Sequence, residues 1–283
     1  MIDHRVPPHL LAAELNRTIE AALVEDVGSG DITSETVIPA DLRFSGAMVA
    51  RQELVVAGLD FVRDIVRRLA PTAWVLTEVA DGDRVEAGRI LCTIDGPARG
   101  LLTAERTALN LLQHLSGIAT ATRTYADLIA GTGCTLLDTR KTIPGLRHLA
   151  KYASRLGGAV NHRIGLYDAV LIKDNHVAVC GGVGEAVRRC RAAELPAIEV
   201  ECDRLEQVAE AVAAGPDTIL LDNMTIPMLR DAVRLVAGRC RLEASGGVTR
   251  ETIRAIAETG VDYVSVGRIT QSAPAVDIGL DWR

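Results

Sequence analysis

The chain has 283 residues, enough for one large domain or two modest ones. Apolar residues make up 48% and aromatic residues only 3%, a composition typical of buried parallel strands covered by alanine-rich helices. A net charge of −6 excludes the basic field that would attract nucleic acid, and no apolar run is long enough to cross a membrane.

The N-terminus carries Asp3, Pro7 and Pro8 and lacks the apolar core of a signal peptide. Six cysteines are scattered along the chain, without a C-x-x-C pair and without zinc-ligand spacing to a histidine. We interpret them as reduced thiols and expect a cytoplasmic protein.

The N-terminal part predicts a small open α+β sandwich. Its predicted elements are, in chain order, an amphipathic helix at 9–24, a structured loop at 25–39, strands within 42–57, a helix at 59–69, strands within 74–95 and a long helix at 103–129. The sequence DGDRVEAG at 81–88 is typical of a turn-rich hairpin connection.

From Cys134 onward, short apolar runs alternate with helical stretches, which predicts a parallel sheet with right-handed crossovers. The six runs are 135–137, 169–172, 198–200, 218–221, 241–244 and 263–266. A complete eight-fold barrel needs about 250 residues, so we expect an incomplete six- or seven-stranded barrel. The predicted domains are the sandwich with its linking helix at 1–110, the barrel at 111–270, and a tail at 271–283 that returns to the sandwich.

Polar residues follow nearly every apolar run at its carboxyl end, which is the face that carries the active site in parallel barrels. These strand ends are Asp138-Thr139-Arg140-Lys141, Lys173-Asp174-Asn175-His176, Glu199 with Glu201, Asp222-Asn223, Ser245-Gly246-Gly247 and Gly267-Arg268. Residues from many strands are therefore expected to converge on one site.

Two of these ends are typical of a phosphate site. Ser245–Gly247 precede a helix expected to begin near Arg250, and Gly267 ends the last strand. Glycines let backbone N–H groups approach an anion, and a helix N-terminus adds partial positive charge. The alternative is that these glycines only turn the chain.

Cations cluster at the same predicted face. Arg140, Lys141, Lys173 and the pair His162-Arg163 suggest a ligand with more than one carboxylate, because guanidinium groups bind carboxylates through two bonds. Arg106 lies on the linking helix.

Glu199 and Glu201 are two apart in a strand and so share a face. Glu201 and Asp222 are candidates to bind Mg²⁺ or sugar hydroxyls. For Glu199, salt bridges that close the barrel floor remain an alternative.

These residues resemble the nicotinate-nucleotide pyrophosphorylase family, also called quinolinate phosphoribosyltransferase. The resemblance runs from about residue 21 to 281, in order. Its stretches include Glu25-Asp26, Gly30–Thr33, Thr103–Asn110, Asp138–Thr142, Asn161–Arg163, Ile172–His176, Leu221–Asn223, Glu243–Gly247, Thr259–Tyr263 and Asp277–Asp281.

The resemblance implies a homodimer with shared active sites. It also implies an enzyme that transfers the phosphoribosyl group of phosphoribosyl pyrophosphate (PRPP) to quinolinate, with Mg²⁺ and no organic cofactor. The products would be nicotinate mononucleotide, pyrophosphate and CO₂, for NAD synthesis. The residues implied for quinolinate are Thr139, Arg140, His162, Arg163, Lys173 and, from the partner subunit, Arg106. Those implied for PRPP are Lys141, Glu201, Asp222, Ser245, Gly246, Gly247, Val266, Gly267 and Arg268. Of these, Lys141, Glu201 and Asp222 would act in catalysis, and Glu201 and Asp222 would face the metal.

Two positions depart from the family pattern. Arg268 begins Arg268-Ile-Thr-Gln271 where Ala-Leu-Thr-His is usual, and Cys202 stands where an apolar residue is usual. Two other functions stay open: a barrel lyase that forms a Schiff base on Lys173 or Lys141, and a paralogue that binds anions without catalysis or acts on a different substrate.

Overall fold

The structure is a computed structural model, and it describes residues 4–282. The chain divides into two compact units. The sandwich unit comprises Val6–Arg123, Thr142–Gly158 and 269–282, and the barrel unit comprises 4–5, Thr124–Lys141 and Ala159–Arg268. Within the described residues, no helix combines the length and the apolar character needed to cross a membrane.

Helices and strands are numbered here in chain order. The helices are α1 (Pro8–Asp26), α2 (Ile32–Val37), α3 (Leu59–Leu69), α4 (Ala98–Leu128), α5 (Arg147–Leu156), α6 (Asp174–Cys180), α7 (Val183–Ala192), α8 (Leu205–Ala214), α9 (Ile226–Val236), α10 (Ile253–Ala257) and α11 (Arg268–Gln271). The strands are β1 (Arg43–Ala50), β2 (Leu54–Val55), β3 (Trp74–Thr77), β4 (Arg84–Val85), β5 (Ile90–Pro97), β6 (Thr135–Leu137), β7 (Val170–Ile172), β8 (Ile198–Cys202), β9 (Thr218–Asp222), β10 (Arg241–Ser245), β11 (Tyr263–Ser265) and β12 (Ile278–Trp282).

The sandwich unit is built on an antiparallel sheet in the order β12-β1-β5-β3, with β2 and β4 forming a separate pair. Its core is mostly aliphatic, and Met48, Ile65 and Leu112 are fully buried in it. The C-terminal strand β12 pairs with β1 in the register Met48–Leu280, so the end of the chain belongs to this sheet.

The barrel unit is a six-stranded parallel sheet in the order β6-β11-β10-β9-β8-β7. A single bridge from Leu137 to Val160 extends the β6 edge. This is the incomplete α/β barrel that the repeated apolar runs predict, and the predicted strands agree with the observed ones to within one or two residues.

Alternation along the strands separates an apolar face from a polar one. Ile198, Val200 and Cys202 of β8 are buried in the core with α7, α8 and α9, whereas Glu199 and Glu201 point to the opposite face. Cys202 takes the place of an apolar residue here, and burial raises the pKa of its thiol to about 12. The barrel interior is therefore where this sheet gathers its polar side chains.

The structure differs from the sequence prediction at several points, and the long helix α4 begins at Ala98, five residues before its predicted start. The expected loop at 25–39 contains α2, which Asp31 caps through the Thr33 and Ser34 N–H groups. The helix expected from Arg250 begins at Ile253, after a turn in which Thr252 Oγ1 accepts from Thr249 N. The units also group the chain differently from the predicted domains, because 142–158 lies in the sandwich unit, where α5 packs on α1.

Candidate active site

The carboxyl ends of the six parallel strands lie along one edge of the barrel sheet, and most of the predicted site residues lie on this edge. Those on the edge are Thr139, Arg140 and Lys141 after β6, Lys173 after β7, Glu201 in β8, Asp222 at the end of β9, Ser245, Gly246 and Gly247 at the end of β10, and Val266, Gly267 and Arg268 after β11. The parallel topology thus brings together residues from distant parts of the sequence.

Lys173 and Glu201 form an ion pair, with 2.9 Å between Nζ and Oε2. The lysine side chain is half exposed and the glutamate is 13% exposed, so the pair faces an open space and not the core. The sequence predicted both residues for the site, on the ends of two strands. The structure pairs these strands directly, because β7 and β8 are neighbours.

The turn after β6 presents Arg140 and Lys141. Thr139 Oγ1 accepts from the Lys141 N–H at 3.0 Å, which fixes the turn. Arg140 Nε is buried and has no hydrogen-bond partner among the described residues. A Cβ atom added to Gly267 would lie 2.8 Å from Lys141 Cδ, so the glycine leaves room for the lysine stem beside the end of β11.

Asp222 and Asn223 end β9 beside the glycine loop of β10. Asn223 Nδ2 donates to Asp222 Oδ2 at 2.7 Å, and Asn223 N donates to the Ser245 carbonyl at 2.9 Å. Gly246 has φ +90°, and a Cβ atom there would lie 2.2 Å from Asn223 Oδ1. Asn223 was absent from the predicted site, although it directly follows Asp222 in a stretch that matches the family.

Glu201 and Asp222 offer carboxylate oxygens of the kind that a hard divalent cation binds. They lie on adjacent strands, both are only partly exposed, and their carboxylate oxygens are the ligands that Mg²⁺ prefers.

The two loops proposed for phosphate lie on the neighbouring strands β10 and β11, and Ser265 Oγ donates to Ser245 Oγ at 3.0 Å. Helix α10 has only five residues and starts well beyond Gly247, so its dipole contributes less here than the sequence suggested. Arg268 is exposed at the start of α11. Backbone N–H groups of the glycine loop and Arg268 are thus the candidate phosphate donors.

His162 lies deeper, inside the barrel. Its Nε2 is 3.0 Å from Glu199 Oε2 and 3.4 Å from Glu243 Oε2, and its Nδ1 accepts from the Arg163 N–H at 2.8 Å. The Glu199 side chain is 10% exposed and that of Glu243 only 2%. The alternative considered for Glu199, a salt bridge inside the barrel, is therefore present, and its partner is His162. Glu243 also contacts His162, and the sequence did not single it out.

The pKa values of His162, Glu199 and Glu243 depend on one another, because the three side chains are buried together. Burial, with the nearby charge of Glu243, raises the pKa of Glu199 to about 7. Burial lowers the pKa of His162, while the two carboxylates act more strongly and raise it. A second proton on the ring would break the bond from Arg163 to Nδ1, so the geometry favours the extra proton on Glu199.

Arg163 is buried, and its Nη1 donates to the Ala169 carbonyl at 3.4 Å. Ala169 precedes β7, so this guanidinium lies at the amino end of the strand whose carboxyl end leads to Lys173. His162 and Arg163 border a cavity of about 310 Å³ that also contacts Thr218 and Arg241, the first residues of their strands. That cavity is at the amino edge of the sheet, away from the other predicted residues.

Arg106 belongs to the sandwich unit, where it is exposed on α4. The sequence predicted that it reaches a site from another subunit, and this stays a prediction.

Both parts of the chain match one family. Residues 31–116 match the N-terminal domain of quinolinate phosphoribosyl transferase, and residues 118–281 match its C-terminal domain. The chain belongs to the quinolinate phosphoribosyltransferase family. The boundary between the two family domains falls within α4.

Relatives in this family cover nearly the whole chain. A nicotinate-nucleotide pyrophosphorylase (carboxylating) of Mycobacterium leprae is 48% identical, over 93% of this chain and 95% of that protein. A probable nicotinate-nucleotide pyrophosphorylase (carboxylating) of Bacillus subtilis is 40% identical, over 95% of this chain and 93% of that protein. The solved nicotinate-nucleotide pyrophosphorylase of Francisella tularensis has a TM-score of 0.94 at 38% identity, covering 100% of this chain and 99% of that structure.

Proposed function

We propose that this protein transfers the phosphoribosyl group of PRPP to quinolinate and releases CO₂, forming nicotinate mononucleotide and pyrophosphate for NAD synthesis. The observation that carries this proposal is a family match over both domains, in a fold whose strand ends bring the cationic and acidic residues to one edge.

Quinolinate is assigned to the cations of β6 and β7. Arg140, with its unpartnered buried Nε, and Lys173 are placed to bind two carboxylates, with Thr139 beside them. The resemblance also implied His162 and Arg163 as ligands. Their side chains form hydrogen bonds within the barrel. In this proposal they therefore hold the site in shape and do not contact quinolinate.

PRPP is assigned to the strand ends that lie between β6 and β7 in the sheet, together with Lys141 of the β6 turn. Ser245, Gly246, Gly247, Val266, Gly267 and Arg268 would bind the 5′-phosphate. Lys141 would contact the pyrophosphate, and Glu201 and Asp222 would hold the ribose hydroxyls and the Mg²⁺ that accompanies PRPP. That ion would add positive charge next to the leaving pyrophosphate.

The reaction needs little covalent help from the protein. The bond from ribose C1 to pyrophosphate breaks, and the quinolinate nitrogen forms a bond to C1 while positive charge develops on the ribose. Glu201 and Asp222 can stabilise that charge, and Lys141 can neutralise the leaving group. The cationic ring then accepts the electron pair as the adjacent carboxylate leaves as CO₂, and a proton takes its place. Positioning of the two substrates is the main contribution.

We further propose a homodimer in which Arg106 of one subunit completes the site of the other. Support comes from exposed apolar side chains on both units: Val24 and Ile32 are 76% and 79% exposed, and Leu166 and Val179 are 74% and 91% exposed.

A Schiff-base lyase is less well supported, because Lys173 is paired with Glu201 at 2.9 Å. A neighbouring carboxylate favours the charged ammonium, whereas a Schiff base needs a neutral amine. Borohydride trapping with a carbonyl substrate tests this reading directly.

The test of the proposed function is incubation with quinolinate, PRPP and Mg²⁺, followed by measurement of CO₂ and nicotinate mononucleotide. Both products should form in equal amounts, and omission of either substrate should abolish them. Nicotinate in place of quinolinate should react poorly, since a single carboxylate would leave either Arg140 or Lys173 without its partner. No product from quinolinate, or equal turnover of nicotinate, would contradict the proposal.

A further inference from the structure

We propose that His162 is a positioning residue, not a substrate ligand, and that it ties the turn carrying Arg140 and Lys141 to Glu199 and Glu243 inside the barrel. The inference rests on the proposed function, since it concerns how that site is held in shape.

Both ring nitrogens of His162 are used internally. Nδ1 accepts the Arg163 N–H at 2.8 Å, so the ring proton is on Nε2, which faces Glu199 at 3.0 Å and Glu243 at 3.4 Å. These two glutamates lie on β8 and β10, which are separated in the sheet by β9. One side chain thus bridges two strands from the inside of the barrel.

The backbone of the same segment holds the end of β6. Asp138 is fully buried, and its two carboxylate oxygens accept from His162 N at 2.8 Å and from Asn161 Nδ2 at 2.7 Å. The Leu137–Val160 bridge lies beside it. Asp138 directly precedes Thr139, so any shift of His162 moves the start of the turn.

The hydrogen bonds of His162 lead to Glu199, Glu243 and Asp138, and each of these residues lies two positions before a proposed substrate contact. Glu199 precedes Glu201 on β8, and Glu243 precedes Ser245 on β10, on the same face of each strand. Asp138 stands in the same relation to Arg140. A network placed here sets the spacing of three strand ends, which is what a reaction governed by positioning requires.

A metal ion is the alternative occupant, because ligand atoms of His162, Glu199 and Glu243 all lie within 4.8 Å of one another. A metal on Nε2 would displace the proton from that nitrogen. The ring would then need a proton on Nδ1, where the Arg163 N–H already points. The backbone geometry therefore favours a hydrogen-bonded tie.

Two substitutions of His162 separate the roles. In His162→Gln the amide nitrogen lies near the position of Nε2 and can still donate to the glutamates, whereas His162→Asn is too short to reach them. We expect His162→Asn to lower kcat/KM about 10- to 100-fold for quinolinate and for PRPP alike, since it loses a hydrogen bond to a charged group and loosens Arg140 and Lys141 together. His162→Gln should recover most of the loss for both substrates.

A ligand role gives a different pattern, with a raised KM for quinolinate alone and no recovery by Gln. That pattern would overturn the proposal. Glu243→Ala should reproduce the effect of His162→Asn, and the double variant should be no worse than either single one, because the residues act as a unit. Losses that add would show that Glu243 and His162 act independently and would equally overturn it.

A measurement on the unmodified protein does not depend on the stability of these variants. In protein labelled with ¹⁵N-histidine, the ring of His162, assigned by its loss in His162→Gln, should show a protonated Nε2 and an unprotonated Nδ1. Saturating quinolinate and added Zn²⁺ should leave both signals unchanged. A protonated Nδ1 would overturn the proposed positioning role of His162. Loss of the Nε2 proton on addition of quinolinate or Zn²⁺ would overturn it as well. Because this readout needs no turnover, its failure is distinct from failure of the proposed function.

Discussion

Arg140 has a buried donor that the described protein does not satisfy. A buried polar group without a partner costs about 1–3 kcal/mol, and more when it is charged. A buried polar group that lacks a protein partner is usually completed by a ligand, an ion or an ordered water. Nε of Arg140 lies in the turn after β6, at the edge where Lys173 and Glu201 also lie. The energetic argument and the position in the fold both support the proposed carboxylate ligand.

The substitution Arg140→Lys tests this argument. It keeps the positive charge but removes the planar fork, so a two-bond contact becomes a single bond to a flexible ammonium. We expect quinolinate binding to weaken about 10- to 100-fold. PRPP binding should stay within about twofold, since other residues hold it. Separate titrations of the two substrates measure both. An equal loss for PRPP would place Arg140 on the phosphoribosyl side.

For single residues, the sequence predicted the candidate site residues at the ends of strands. It missed a buried residue that contacts His162 inside the barrel. Lys173 and Glu201 could be predicted because alternating apolar residues locate a strand and therefore its end. Glu243 was noticed only as the start of a glycine-containing stretch. Its contact with His162 crosses the barrel interior and depends on how the sheet curves, which spacing along the chain does not specify.

The loop between β10 and α10 depends on a glycine for its shape. Gly246→Ala would place Cβ 2.2 Å from Asn223 Oδ1 and would force Asn223 away from Asp222. We expect the KM for PRPP to rise about tenfold or more, because both the phosphate loop and the acidic residue move. Steady-state kinetics with quinolinate saturating measures the effect.

Gly238→Ala is the matched control for backbone strain. Gly238 also has a positive φ, +76°, but an added Cβ would meet nothing within 4 Å. It should lose about 1 kcal/mol of stability with unchanged kinetics. A Gly246→Ala enzyme whose only defect is a similar stability loss would mean that the loop does not bind PRPP.

Helix α2 depends on its N-cap. Asp31 accepts from Thr33 N at 3.1 Å and from Ser34 N at 2.9 Å, and its other oxygen accepts from Thr103 Oγ1 at 3.0 Å. Asp31→Ala should lower the free energy of unfolding by about 1–2 kcal/mol, measured by urea denaturation. Asp31→Asn, whose amide oxygen can still accept from Thr33 N and Ser34 N, should lose much less. Equal losses in the two variants would show that the cap hydrogen bonds are not the source.

The pH dependence of this cap has a definite sign. Hydrogen bonds from Ser34 hold the pKa of Asp31 below its usual value. A depressed carboxyl pKa contributes stability at neutral pH that is lost as the solution is acidified through that pKa. The Asn variant should lack this acid-dependent loss.

Among the helices, α3 could be predicted from its period, whereas the short α2 could not. The bounds of α3 agree with the prediction at both ends, because eleven residues give a clear apolar stripe. Helix α2 has six residues, too few to show a period, and it lies in a segment rich in turn-forming residues. Helix α10 starts later than predicted because a turn from Thr249 to Thr252 takes the place of its first residues.

For the whole molecule, counting the βα repeats predicted an incomplete barrel, and the six-stranded sheet confirms it. Grouping of the chain into units was harder to predict. The segment Thr142–Gly158 follows the Arg140-Lys141 turn in sequence but belongs with α1 in the sandwich unit. That excursion reflects tertiary packing of α5, which no local pattern encodes.

Subunit mixing tests whether the active site is shared between two chains. Arg106→Ala and Lys173→Ala should each be inactive alone. In a mixed dimer one of the two sites would combine the intact Arg106 of one chain with the intact Lys173 of the other. An equal mixture that exchanges subunits fully should therefore recover about a quarter of the wild-type activity.

Arg140→Ala with Lys173→Ala is the matched control: both residues lie in the barrel unit of one chain, so no mixed site is intact and no activity should return. Recovery by neither pair, in mixtures shown by mass spectrometry to contain mixed dimers, would mean that each chain uses its own Arg106 or none.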